Sequence, residues 1–306
     1  MAERPPVRAV SLVGRMGNQL FQYAVARAHL PLSASPSDVV VVDDRQKLIW
    51  GDDLAPVLRP GRYRPIRQRE LLRLRSAPRL VRGQRTALAL RERLADRRPS
   101  LRRYEIGDDV PPEQLADRVA ALPHYLLSGY FQNERYFAAR ADAVRSAFRP
   151  AGHDVMRFVV GAGGGMSTVG VSMRTGADYG EFGVRLDRTY YLRGIDRIER
   201  DVEDPSYVVF GDVEADTRWL VDQLTGRGAR AVTAAQLSAA DQLFAMAAMD
   251  HLVISNSSFA WWGAWLGDGR PVRRRIVVRP SVWVTGVTDI CPDRWTAVDA
   301  SYEPGP

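Results

Sequence analysis

The chain has 306 residues, of which 45% are hydrophobic and 26% charged, the composition of a soluble globular protein with one large domain or two. Its net charge of +7 comes almost wholly from arginine, which favours anionic ligands over cationic ones. The single cysteine, Cys291, excludes an internal disulfide and fits a reducing compartment. Because the sequence shows neither an apolar run of roughly 18 residues nor a signal peptide, we expect a cytoplasmic protein that is at most peripheral to a membrane.

The first half of the chain is predicted to alternate strands and helices. A strand at 7–13 is followed by a glycine turn, a helix at 16–29 and a second strand at 39–44. Another strand, YLLSGYF at 125–131, precedes a helix predicted over 134–148. These elements predict an N-terminal domain over residues 1–150.

Residues 59–103 are rich in arginine and carry leucines at recurring intervals, which favours amphipathic helices over disorder. A solvated basic helical face is the simplest interpretation of this segment. A surface for an anionic acceptor, a membrane or nucleic acid is the alternative. Nucleic acid is not an expected partner, because no zinc-ligand set, aromatic RNA platform or helix-turn-helix pattern accompanies the arginines.

A glycine-rich segment at 149–167 is interpreted as the domain boundary, with a second domain over 151–306. Its GAGGG run does not fit a dinucleotide-binding fingerprint, since a strand follows it and Met166 interrupts the glycines. The second domain then alternates short apolar strands with helices of about a dozen residues, as in a doubly wound parallel sheet. The predicted strands are 168–173, 207–212, 230–234, 251–255 and 275–280, and the predicted helices are 188–201, 215–226, 238–249 and 258–266.

Ligands of such sheets bind at the carboxyl ends of the strands, which directs attention to Arg174, Asp212 and the turn at 256–258. In ISNSSFAWWGAWLG (254–267) a strand, a turn with serines and a helix start form a potential phosphate site. Simple N-capping by serine is the alternative. An arginine, an acid and a phosphate-binding turn together favour a nucleotide.

Several stretches resemble, in chain order, the alpha-1,2-fucosyltransferases of glycosyltransferase family 11. They are GRMGNQLFQYAVARA (14–28), SGYFQNERYF (128–137), VSMRTGADY (171–179), DRTYY (187–191), VVFGD (208–212), DQLFAMAAMDHLVISNSSFAWWGAWLG (241–267) and the Pro-x-x-Trp pairs at 280–283 and 292–295. The resemblance implies two Rossmann-like α/β domains facing a cleft, the B-type glycosyltransferase fold, with the N-terminal domain on the acceptor side. It also implies metal-free transfer of L-fucose from GDP-fucose to a sugar hydroxyl with inversion, so no cofactor and no metal site are expected.

The same resemblance assigns roles to individual residues. Arg174 takes the place of the arginine that binds the diphosphate, Asn18 approaches the donor sugar, and Asp212 lies at the guanine position. The implied donor-binding residues are Gly17, Asn18, Gln19, Ser172, Arg174, Asp212, Asn256, Ser257, Ser258 and Phe259. The tryptophans 261, 262 and 265 are expected to anchor the turn in the core.

The donor motif departs from the family pattern His-x-Arg-Arg-Gly-Asp-Tyr. Ser172 replaces the histidine, Thr175 replaces the second arginine, and Ala177 is an added residue. The usual Ser-Asp-Asp near the guanine is reduced to Gly-Asp-Val at 211–213. Either a different nucleotide sugar is bound, or affinity for the donor comes from other residues.

Inversion through an oxocarbenium-like sugar needs only a base that accepts the acceptor's proton. Asp178 is the first candidate, with Glu181, Asp43 and Asp44 as alternatives, and the predicted catalytic set is Arg174, Asp178 and Asn18. The expected partners are a nucleotide sugar and a hydroxyl-bearing glycan or small molecule. The alternatives are a transferase for another GDP-, ADP- or dTDP-linked sugar, in surface-glycan or natural-product synthesis, and a non-catalytic nucleotide- or glycan-binding relative.

Overall fold

The computed structural model describes residues 7–30, 39–44, 51, 53–74, 105–122, 124–177, 184–270, 274–284 and 290–300. The chain divides into two compact units. Unit 1 contains residues 1–131 and 135–148, and unit 2 contains residues 132–134 and 149–306. The sequence analysis had placed one boundary at residue 150.

Unit 1 is built on a five-stranded sheet in the order β3-β2-β1-β5-β4, and every pairing in it is parallel. The strands are β1 Arg8–Ser11, β2 Val40–Asp43, β3 Tyr63–Pro65, β4 Glu105–Gly107 and β5 Tyr125–Ser128. β-Branched and leucine side chains of β1, β2 and β5 are buried on both faces, as expected for a parallel sheet covered by helices. The carboxyl ends of all five strands therefore share one edge.

The helices of unit 1 are α1 Met16–Ala28, α2 Gln68–Leu74, α3 Pro112–Ala120 and α4 Ala141–Arg145. The single helix predicted over 134–148 is wrong, because two short 3-10 turns, Glu134–Tyr136 and Ala138–Arg140, precede α4. Tyr136 and the adjacent Phe137 are both buried, and the backbone is irregular between the two 3-10 turns. Phe137 accordingly leaves the helical conformation, with φ −141° and ψ 5°.

The first part of the arginine-rich segment contains the strand β3, where only helices were predicted, and then α2. Residues 75–103 of that segment lie outside the described residues.

Unit 2 has a six-stranded parallel sheet in the order β11-β10-β9-β6-β7-β8. Its strands are β6 Thr168–Met173, β7 Ser206–Gly211, β8 Ala231–Thr233, β9 His251–Ile254, β10 Val277–Pro280 and β11 Thr296–Val298. All six residues of β6 are buried, since this strand lies between β7 and β9 at the centre of the sheet. The prediction of two Rossmann-like parallel α/β domains is confirmed.

The helices of unit 2 are α5 His153–Gly163, α6 Arg188–Glu199, α7 Glu214–Gly226, α8 Ala239–Ala248 and α9 Ser258–Gly267. The interpretation of residues 149–167 as little more than a boundary missed α5. That helix ends at Gly164, whose φ of 57° is the left-handed conformation that glycine adopts readily. The glycine run therefore closes a helix before β6. No helix of the described residues is both long and apolar enough to cross a membrane.

Two histidines, buried His251 in unit 2 and half-buried His29 in unit 1, have lowered pKa values. His251 Nδ1 accepts the Ile276 N–H at 3.1 Å, and His29 Nε2 lies 3.0 Å from the Tyr136 carbonyl oxygen. Burial lowers the pKa of both imidazoles below the ordinary value, and the arginines 274 and 275 lower that of His251 further, against the opposing effect of Asp250. Because His251 Nδ1 is an acceptor, protonation would place two N–H groups against each other.

We expect unfolding free energy to fall as the pH is lowered below about 6.5, since the unfolded histidines then bind protons that the folded ones do not. The contribution of each neutral histidine to the unfolding free energy is complete above the pKa of the unfolded chain. Below that pKa it decreases by up to about 1.4 kcal/mol for each unit by which the pH is lowered. Urea denaturation between pH 5.5 and 7.5 measures it. His251→Asn, whose amide oxygen can replace Nδ1 as acceptor, should flatten the slope.

The matched control is His153→Asn, because the His153 side chain is 84% exposed. An unchanged pH slope in His251→Asn, or a slope flattened equally by His153→Asn, would contradict the assignment.

Candidate functional site

Three of the sequence-predicted stretches meet at the carboxyl edge of the unit 2 sheet. β6 pairs with β7 and β9 so that Ser172 lies opposite Phe210 on one side and Ile254 on the other. The Ser255 N–H extends the pairing of β6 with β9 by donating to the Ser172 carbonyl at 3.0 Å. Since β6, β7 and β9 are parallel neighbours, the residues that follow them emerge side by side. The structure thus brings together Arg174, Asp212 and the 256–258 turn.

The carboxylate of Asp212 organises the loop after β6. It accepts the Arg174 Nη1–H at 2.5 Å, the Thr175 backbone N–H at 3.0 Å and the Gly176 backbone N–H at 3.2 Å. Gly211, just before it, allows Thr217 of α7 to pack against the end of β7, because a Cβ at Gly211 would lie 2.4 Å from the Thr217 methyl group. The guanine-binding role implied for Asp212 stays a prediction, and its carboxylate has a loop-holding role that the sequence did not indicate.

A second arginine–aspartate pair lies near Thr175. Arg188 Nη2 lies 2.7 Å from Asp216 Oδ1, and its guanidinium stacks 4.6 Å above the Trp219 ring. Burial raises the pKa of Asp216, but the hydrogen bond and charge of Arg188, with the nearby Thr175 side chain, outweigh it and leave that pKa below its ordinary value. Arg185 also contributes positive charge here.

The sequence analysis counted Thr175 as a lost cation and missed the arginines beside it. The available signal was the position of Arg188 in the first turn of α6. Asp187 caps that helix by accepting the Tyr190 N–H at 3.0 Å. The first turn of a helix that follows a parallel strand lies at the carboxyl edge of the sheet. Arg188, the first residue of α6, is therefore expected at this edge.

The turn before α9 is fixed from both sides. Asn256 Nδ2 donates to the Val184 carbonyl at 2.8 Å, and the Tyr190 hydroxyl donates to the Ile254 carbonyl at 2.6 Å. Ser257 occupies the N-cap position, yet its side chain makes no capping hydrogen bond, so the alternative of simple serine capping is wrong for Ser257. Ser258 and Phe259 begin the helix and are half-buried.

The tryptophans of α9 are structural, as the sequence indicated. All three are at most 1% exposed and contact one another, and Trp295 packs on the same cluster. Trp261 Nε1 donates to the Ile290 carbonyl at 3.1 Å, and Trp265 Nε1 donates to Glu134 at 3.0 Å. These bonds fix α9, and therefore the orientation of its first-turn N–H groups.

In unit 1, Gly17, Asn18 and Gln19 lie in the first turn of α1, directly after the glycine turn that follows β1. The Gln19 amide is used within the unit: Nε2 donates to the carbonyls of Gly14 at 2.9 Å and Gly51 at 3.2 Å, and Oε1 accepts from Asp53 N at 3.2 Å. The Gln19 side chain therefore connects the loop at Gly14 to the loop at residues 51–53. Contact of these residues with a donor sugar stays a prediction.

Of the four candidates for the general base, Asp43 and Asp44 lie among the described residues. Asp43 is buried at the end of β2, and Asp44 follows it. Asp178 and Glu181 lie outside the described residues. The described residues contain no group of three or more His, Cys, Asp or Glu side chains placed to hold a metal ion.

Comparison with known proteins identifies the family. Residues 108–279, more than half of the chain, match the profile of glycosyl transferase family 11. The chain belongs to this family. The matched region contains β6, β7, β9 and the start of α9, which carry Arg174, Asp212 and the 256–258 turn.

Two relatives from Escherichia coli match parts of the chain. An alpha-1,2-colitosyltransferase is 26% identical over 193 residues, which are 56% of this chain and 61% of the relative. The O-antigen biosynthesis glycosyltransferase WbnK is 31% identical over 104 residues, which are 33% of this chain and 32% of the relative. The chain thus matches about three fifths of the length of the colitosyltransferase and about one third of the length of WbnK.

Solved structures show the same fold at low sequence identity. The alpha-1,6-fucosyltransferase NodZ, soaked with GDP-fucose, is 13% identical with a TM-score of 0.50, covering 99% of this chain and 100% of NodZ. POFUT1 in complex with GDP-fucose is 12% identical with a TM-score of 0.50, covering 90% of this chain and 98% of POFUT1.

We expect Asp212→Ala to lower the unfolding free energy of unit 2 by about 1–2 kcal/mol, because one substitution removes the acceptor of three hydrogen bonds from a partly exposed site. Urea denaturation at neutral pH measures the loss. The control is Asp196→Ala in α6, whose carboxylate is 51% exposed and accepts from the single guanidinium of Arg227. That change should cost no more than about 0.5 kcal/mol. Equal losses in the two variants would show that Asp212 does not hold the loop.

Proposed function

We propose that the chain is an inverting glycosyltransferase that moves L-fucose from GDP-fucose to a hydroxyl of a glycan or small-molecule acceptor. Membership of glycosyl transferase family 11 supports glycosyl transfer as the reaction class. The observation that carries the proposal is the position of Arg174. Its guanidinium is held by Asp212 at the carboxyl edge of the sheet. Arg174 follows β6, whose neighbour β9 leads into α9.

The leaving group of this reaction is a nucleoside diphosphate, so the site has to stabilise negative charge as the glycosidic bond breaks. Arg174 presents a planar fork of N–H donors, and its side chain is 35% exposed. The first turn of α9 adds backbone N–H groups and the positive end of the helix dipole. Donors fixed in advance by packing stabilise the departing diphosphate more than mobile ones, since they need no rearrangement during the reaction.

The reaction itself needs a base on the acceptor side. The acceptor oxygen attacks the anomeric carbon, the bond from that carbon to the diphosphate oxygen breaks, and a carboxylate takes the acceptor's proton. Asp178 remains our first candidate for that carboxylate. We propose no cofactor and no resident metal, because Arg174 and the first turn of α9 provide the charge stabilisation that a metal would otherwise supply.

A second donor has a specific observation in its favour. One relative is named a colitosyltransferase, and the motif after β6 departs from the fucosyltransferase pattern at Ser172, Thr175 and Ala177. The same site could therefore use a colitose donor, with the diphosphate bound in the same way. A panel of GDP-linked fucose, colitose and mannose, with ADP- and dTDP-linked sugars, separates these donors, since each bound ligand raises the melting temperature according to its affinity.

Arg174→Ala should reduce turnover of the best donor by about 10²–10³, because a charge-stabilising donor to the leaving diphosphate is lost. Its folding is checked by circular dichroism, and turnover by release of the nucleoside diphosphate. Arg218→Ala, at a pair whose arginine side chain is 68% exposed, is the matched control and should retain full turnover. A folded Arg174→Ala enzyme with near-normal turnover would refute the assignment.

Turnover should be unchanged in excess EDTA, since protein groups neutralise the leaving diphosphate. The measurement compares initial rates of nucleoside diphosphate release in EDTA with rates after addition of magnesium or manganese. Loss of activity on chelation, with recovery on addition of either metal, would contradict the metal-free mechanism.

A further inference from the structure

The carboxyl edge of the unit 1 sheet carries a surface centred on Tyr130, two residues after β5. Large hydrophobic side chains that are exposed are few among the described residues, and Tyr130, at 48%, is the aromatic one of them. The others are Met156, Val160 and Met166 in unit 2. An exposed aromatic ring at a ligand-binding edge indicates a contact surface.

The backbone on both sides of Tyr130 adopts unusual conformations that direct the ring outward. Gly129 has a φ of 154°, and a Cβ there would collide with the Asp108 carboxylate. Phe131 has a φ of 49°, which is rare for a bulky residue, yet its side chain is 1% exposed and packs edge-on against the Tyr136 ring at 5.3 Å. Burial of Phe131 therefore holds a strained turn, and strain of this kind concentrates at functional sites.

Hydrogen bonds fix this turn to the loops that follow two other strands. The Tyr130 N–H donates to Asp108 Oδ2 at 2.6 Å, and the Tyr136 hydroxyl lies 3.1 Å from the Asp108 carbonyl. Gln22 joins the loop after β1 to the same turn, since its Nε2 donates to the Gly129 carbonyl at 3.0 Å and its Oε1 accepts from Val13 N at 3.0 Å. The loops after β1, β4 and β5 thus form one fixed frame around Tyr130.

The charge of this surface disfavours an anionic ligand. Asp108 and Asp109 are exposed beside the turn, and their carboxylates repel a nucleoside diphosphate although the chain as a whole carries +7. Carboxylate oxygens accept hydrogen bonds from hydroxyl groups, and an aromatic face packs against the C–H face of a sugar ring. We infer that Tyr130 is the platform on which a pyranose ring of the acceptor stacks, with the Asp108–Asp109 carboxylates as acceptors for its hydroxyls. This inference rests on the proposed transferase function and makes the acceptor a saccharide.

The test measures acceptor and donor KM separately for the wild type, Tyr130→Ala and Tyr130→Phe. Methyl β-galactoside, lactose and N-acetyllactosamine are the acceptors, and GDP-fucose is the donor. We expect Tyr130→Ala to raise the acceptor KM about tenfold or more while the donor KM stays within about twofold, because the stacking face is lost while the residues proposed to bind the diphosphate in unit 2 are unchanged. Tyr130→Phe keeps the ring and should stay within about threefold of the wild type.

Val160→Ala is the matched control, because Val160 is 70% exposed and lies in the other unit. An unchanged acceptor KM in Tyr130→Ala, or an equal rise in donor and acceptor KM, would overturn the inference. If the wild type releases GDP from GDP-fucose but transfers to none of the three saccharides, the inference fails while the proposed donor chemistry stands. If the wild type neither binds GDP nor releases it, the proposed function fails as well.

Discussion

The candidate donor site depends on the contact between Arg174 and the carboxylate of Asp212. That carboxylate receives a guanidinium and the backbone N–H groups of residues 175 and 176, so it fixes the loop as well as the side chain. Asp212 can do this because it follows β7, the immediate neighbour of β6 in a parallel sheet. Hydrogen bonds to a carboxylate are among the stronger contacts a loop can make, and here they replace regular secondary structure.

Packing behind the site keeps its second component, the start of α9, equally fixed. The tryptophans of α9 are buried, and two of their indole N–H groups have backbone or carboxylate acceptors. Aromatic side chains of this size have little room to move when they are enclosed by one another and by hydrogen-bonded partners. The polar turn at 256–258 and the apolar helix after it are therefore complementary, because the helix fixes the direction in which the turn presents its N–H groups.

Sequence reasoning was most successful where local pattern and tertiary environment agree. The buried strands β6, β7 and β9 are continuous apolar runs, and their helices have regular spacing, so the fold of unit 2 could be predicted. Prediction failed at residues 134–148, where the backbone leaves the helical conformation at Phe137, and at α5, which ends in the glycines interpreted as a boundary. The loop-holding role of Asp212 and the position of Arg188 could not be predicted, since both depend on which strands are neighbours.

The two arginine–aspartate pairs also bear on the altered motif after β6. A bound diphosphate would place its charge beside Asp212, so Arg174 would have to neutralise a carboxylate and a phosphate together. One guanidinium cannot balance both, and positive charge from elsewhere at the edge is then required. Thr175 contributes none, and the charge of Arg188 is already balanced by Asp216, but Arg185 adds positive charge beside this pair. A threonine at position 175 is thus compatible with an anionic ligand, provided that Arg185, just before α6, contributes the missing charge.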